Sequence, residues 1–160
     1  MADSFLVTGD DVKAGAPDVR MGLASPLHVY DLLEQKDLGE TNSVAFRAEP
    51  GKGRLFALYP YRIQKLTLGL APGYRRGGTL QYQMELTVSD GEPGTHIVHL
   101  QVTDPDRKEA GFYTCNIPLV KGAHVGLLPL ALNMKPGSWT IRATEVASGI
   151  TADQSFVLPE

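Results

Sequence analysis

Residues 79–89 read TLQYQMELTVS, and their alternation decides the fold. Leu80, Tyr82, Met84, Leu86 and Val88 fall on one side of an extended chain, with Gln81, Gln83, Glu85 and Thr87 on the other, because successive strand side chains point to opposite faces. One face is therefore core and the other wet. The period returns in THIVHLQVTDPD (95–106), where Val98, Leu100 and Val102 are in phase and the Asp-Pro-Asp run stops the strand with turn chemistry. GSWTIRATEVASG (137–149) carries it through Trp139, Ile141 and Ala143, and TADQSFVLPE (151–160) through Phe156 and Leu158.

Working outward, Gly and Pro punctuate the whole chain at short intervals, as turns between strands require. The one helix-like window, SPLHVYDLLEQKDLGE (25–40), has Leu32, Leu33 and a capping-type serine. Val29 and Tyr30 alternate with polar neighbours and Gly39 soon follows, so it reads as a strand entering a hairpin. SVAFRA and RLFALYP then flank EPGKG, which predicts a second hairpin ending at Pro60. Beyond Leu66 the turn spacing lengthens to roughly 8–12 residues, with about seven strands to the end, as an immunoglobulin-like sandwich requires. The expected fold is all-β: a short antiparallel β-hairpin subdomain over 1–62, then an Ig-like β-sandwich over 63–160, dividing near Tyr61 to Gln64.

The chain has 160 residues, 42% of them apolar, and a net charge of −3. That suffices for a well-packed core, and no apolar run approaches the roughly 20 residues of a spanning helix. The interspersed charges leave no footprint for nucleic acid, so neither nucleic acid nor membrane is an expected partner. The N-terminus MADSFLVTGDDVK lacks the basic-then-apolar order of a signal peptide. A single cysteine, Cys115, excludes an internal disulfide and a Cys-based zinc cage while leaving the compartment open.

HVYDLLEQKDLGETNSVAF (28–46) followed by GRLFALYPYRI (53–63) resembles a β accessory domain that closes large bacterial secreted glycoside hydrolases and related carbohydrate-active proteins, with its VYD strand, LG-T turn and RLFALLP-like strand. The remainder is similar to the Ig-like and macroglobulin-type modules of bacterial surface and secreted proteins, through VTDPDRK (102–108) and PGSWTIRATEVASG (136–149). Two positions depart from those motifs: Glu145 stands where they carry Asp, and Arg107 where they carry Gly. The resemblance implies a secreted or cell-surface setting within a larger protein, with polysaccharide or an adjoining catalytic domain as partner.

The residues themselves point away from catalysis. His96 and His99 lie three apart on a strand, so they face opposite sides and cannot share a metal ion; a sheet-surface position is expected for them. His28 and His124 lack companions and read as polar surface or loop residues. There is no nucleophile elbow, and Cys115 reads as a small buried hydrophobe. The acidic pairs Asp10–Asp11 and Asp104–Asp106 read as solvated turns, with loop calcium as the alternative. No cofactor is expected.

Sugars are held by flat rings over their C–H faces and by polar groups on their hydroxyls. Tyr59, Tyr61 and Tyr74 cluster in sequence with Arg62, Arg75 and Arg76. Tyr61 and Tyr74 lie beside turns where a ring can be exposed. The expected carbohydrate-binding residues are therefore Tyr61, Tyr74, Arg75, Arg76 and Tyr30, in a non-catalytic accessory module. The competing expectation is that these tyrosines pack over the junction of a structural spacer or docking domain. Trp139, in phase with Ile141 and Ala143, belongs to the core.

Overall fold

The alternating runs become ten strands in a computed structural model that describes residues 17–159. They are β1 (Asp18–Asp31), β2 (Lys36–Arg47), β3 (Phe56–Tyr59), β4 (Ile63–Leu70), β5 (Thr79–Val88), β6 (His96–Thr103), β7 (Cys115–Leu119), β8 (Ala123–Pro129), β9 (Gly137–Glu145) and β10 (Thr151–Leu158). One 3₁₀ turn, Gly111–Tyr113, is the sole helical element among the described residues. Asp10 and Asp11 lie outside the described residues.

Strands β4 to β10 form two antiparallel sheets ordered β4-β5-β8 and β10-β9-β6-β7. Seven strands divided three and four make the sandwich that the turn spacing predicts. The fourth strand of this set, β7, pairs with β6, whereas in the immunoglobulin constant arrangement the fourth strand joins the opposite sheet. Pro118 falls on β7, an edge strand, where its missing N–H interrupts no interior ladder. The inward set is the one the alternation marks: Leu80, Tyr82, Met84 and Leu86 from one sheet meet Val98, Leu100, Val102, Trp139, Ile141 and Phe156 from the other in one continuous core. Trp139 stacks on Phe156 with centroids 6.3 Å apart, and its indole N–H donates to the Lys135 carbonyl at 3.0 Å.

Two details of the sandwich depend on single residues. Tyr82 lies across Gly126 of the neighbouring strand, where an added Cβ would stand 2.2 Å from the ring, so only glycine admits the ring there. Arg107 adopts φ 63°, the left-handed region, within the turn after β6. Asp104 shapes that turn: its Oδ1 accepts the N–H groups of Asp106 and Lys108, each at 2.9 Å.

The first sheet departs from the expected pair of hairpins. Its order is β2-β1-β3, so β1 and β2 form the first hairpin, but β3 pairs with β1 and not with β2. The connector over 48–55 carries the chain from the start of β1, where Arg47 pairs with Asp18, to its end, where Phe56 pairs with Asp31 on the strand's free edge. Arg54 anchors it there on the buried Asp31 and on Glu34 (2.6 Å), and Leu32 N–H donates to the Leu55 carbonyl at 2.9 Å. The sheet is irregular, with a register shift between Gly22 and Leu27, and it curls enough to bring the rings of Phe46 and Phe56 within 5.6 Å. Val29 and Val44 are buried in this sheet but lie outside the continuous core, which of β1 takes in Tyr30.

Candidate functional site

The chain passes from the first sheet to the sandwich between Tyr59 and Ile63, and the side chains around that passage point inward. Tyr30, on β1, is 1% exposed, and its hydroxyl accepts the Ile63 N–H at 2.9 Å. Burial raises its pKa, partly opposed by that bond. Tyr59 stacks on Tyr61 (5.5 Å between centroids, 14° between planes) and on the His96 imidazole (4.7 Å). Burial, reinforced by the Glu145 charge, pushes the Tyr59 phenol up to about 12.

A chain of hydrogen bonds runs inward from Tyr61. The Gly94 N–H donates to its hydroxyl at 2.7 Å, and the hydroxyl lies 3.0 Å from His96 Nε2. An ionised carboxylate only accepts, so His96 Nδ1, 3.2 Å from Glu145 Oε1, carries a proton and donates it to that oxygen. Glu145 Oε2 accepts the Ser148 N–H at 2.7 Å and the Ser148 hydroxyl at 2.6 Å. Burial works against the charge on Glu145. The bonds from His96 and from the side chain and backbone of Ser148 outweigh it and hold the carboxyl below its ordinary value. His96 and Glu145 are each 1% exposed, so the arrangement is sealed and offers no atom to a substrate.

These positions correct several expectations. Tyr61 is buried and covered by Tyr59 and His96, and Tyr30 is buried with its ring edge-on to Tyr59, so neither presents a ring face to solvent. Tyr74 stands beyond the opposite end of β4 from Tyr61. Its ring packs edge-on against Phe156 at 5.6 Å, and its hydroxyl accepts the Val157 N–H at 3.3 Å. Arg76 donates to the Pro159 carbonyl, while Arg75 is exposed. Eight residues of strand, about 26 Å, separate the two halves of the proposed cluster, so neighbours in sequence are not neighbours in space.

His96 lies in the core and not on the sheet surface, whereas His99 faces outward and meets Asn116 Oδ1 at 2.8 Å. His28 and His124 are half-buried on strands, the latter stacked on Tyr82 at 6.0 Å. Cys115 is exposed, because it opens the edge strand β7 where no further strand covers it. Asp104 and Asp106 occupy a turn as expected, both bonded by Lys135. The single lysine offsets one of the two negative charges. Hydrogen bonding from the Lys108 N–H, with Lys135 adding to it, keeps Asp104 below the ordinary carboxylate range against the cost of desolvation. Among the described residues no cluster of three His, Cys, Asp or Glu side chains is arranged to hold a metal ion.

Sequence reasoning put His96 on the sheet surface and took Glu145 only as a departure from a motif, yet the signal of their burial was present. His96 is in phase with Val98, Leu100 and Val102, and Glu145 with Trp139, Ile141 and Ala143. A polar residue in phase with a core set is either displaced or paired, and here the two are paired with each other.

Fold and junction together define an all-β protein in which a curled three-stranded sheet rests on one end of a seven-stranded sandwich. No protein-family model matches the chain, and no curated protein matches it significantly.

Proposed function

We propose that the chain is a non-catalytic structural module, a spacer or docking domain within a larger secreted carbohydrate-active protein. The observation that carries this reading is the burial of Tyr30 and Tyr61: two of the rings expected to form a ligand platform instead bond to Ile63 and His96 of the sandwich. A rigid connection between two β units suits a part that sets distance and orientation for its neighbours. The secreted, carbohydrate-active setting rests on the resemblance of residues 27–63 and of the VTDPDRK and PGSWTIRATEVASG motifs. A glycan-binding role would rest on Arg75 and the exposed part of Tyr74 alone, without a second ring to complete a platform.

Thermal unfolding against a panel of neutral, uronic-acid and sulfated polysaccharides tests the reading. None is expected to raise the melting temperature. A saturable upward shift with any one of them, abolished by Arg75→Ala, would replace the spacer reading with the binding one.

A further inference from the structure

Besides tyrosines, three polar or charged side chains are buried among the described residues: Asp31, His96 and Glu145. Arg54 answers Asp31 within the first sheet. His96 and Glu145 answer each other at the end of the sandwich on which that sheet rests.

The groups facing this pair come from every element around it. Glu145 comes from β9 and Ser148 from the turn after it. Tyr61 comes from the passage into β4, Tyr59 from β3 and Tyr30 from β1. Asp37 of β2 and Arg62 stand nearby and are paired with each other at 3.2 Å. Glu145 is thus the carboxylate on which the bonds converge, and every atom bonded to it is a donor. A protonated Glu145 brings a hydrogen where the facing atoms are the N–H groups of His96, Ala147 and Ser148 and the Ser148 hydroxyl, so the present arrangement cannot survive protonation unchanged. The core beyond, formed by Leu80, Leu100, Val102, Ile141 and Phe156, has nothing to titrate.

We propose that the Tyr61–His96–Glu145 chain is an acid-sensitive latch: ionised Glu145 fixes the imidazole that engages Tyr61 and Tyr59, and protonation frees the imidazole and uncouples the first sheet from a sandwich that stays folded. The direction follows from the charge. Glu145 is held below its ordinary value in the folded protein, so its contribution is complete above the ordinary carboxylate range and is lost as pH falls through the lowered value. The latch is therefore closed at neutral pH and opens in acid. It does not depend on the spacer reading, since it concerns only how the two parts are joined.

The test is an NMR titration of the whole chain from neutral pH to about pH 2.5. It follows the amides of Ile63 and Gly94, which bond Tyr30 and Tyr61, against the Trp139 indole N–H, which reports the sandwich. Ile63 and Gly94 are expected to lose their folded shifts while Trp139 keeps its own. Glu145→Gln should show the opened junction at neutral pH with the Trp139 resonance unmoved. Ser148→Ala, which removes one donor to the carboxylate, should raise the junction transition by about one pH unit and covers the case in which Glu145→Gln does not fold. Loss of all three signals at one pH, or a junction transition unmoved in Ser148→Ala, overturns the latch.

Discussion

The sandwich and the first sheet are both antiparallel and both read as alternating sequence, yet they hold together differently. The sandwich buries two facing sets of side chains in one core, and every strand but β8, which gives Leu128 alone, contributes two or more residues. The first sheet has an irregular register, buries Val29 and Val44 within its own curl, and reaches the main core through Tyr30 with Leu32, Ala57 and Tyr59 packed beside it. A three-stranded sheet of this size buries too little to stand well alone. What it lacks in apolar area is supplied by hydroxyl, imidazole and carboxylate bonds at the junction.

The largest effect should come from the sandwich itself. Trp139→Ala removes a ring stacked on Phe156 and should cost about 3–5 kcal/mol in chemical denaturation. A melting temperature equal to the parent's would show that the two sheets do not meet where described. Gly126→Ala should cost about 1–3 kcal/mol, since the added methyl must displace the Tyr82 ring or part β5 from β8.

At the junction, Tyr30→Phe leaves the Ile63 N–H without its acceptor and should cost about 1–3 kcal/mol. An unchanged denaturation midpoint would mean that the hydroxyl link carries no load and that the first sheet is held by contact alone. Two smaller changes sharpen the comparison from the sandwich side. Arg107→Gly should stabilise by about 0.5–1 kcal/mol, because the left-handed conformation costs a side chain more than the added freedom of glycine does. Gln83→Ala, on the wet face of β5, should stay within about 0.5 kcal/mol of the parent.

The sandwich was legible because period-2 alternation is a local signal, and TLQYQMELTVS shows it without interruption. The partner of β3 was not legible. A Pro-Gly turn between two alternating runs normally predicts a hairpin, and nothing local announces that Arg54 will anchor the connector on Asp31 and deliver β3 to the other edge of β1. The site failed for a related reason: Tyr61 and Tyr74 share a turn-rich stretch, but β4 runs between them and carries them to opposite ends of the sandwich. His96 and Glu145 were readable by phase. Their meaning required knowing that β6 and β9 are neighbours, a long-range pairing that alternation does not specify.

The dependence of the first sheet on the junction is tested most directly by producing residues 1–62 without the sandwich and recording a proton–nitrogen correlation spectrum beside that of the whole chain. The expected result is a collapsed, unfolded spectrum for the fragment. Dispersed resonances that coincide with those of Val29, Val44 and Phe56 in the whole chain would contradict it, because the first sheet would then fold without Ile63, His96 or Glu145.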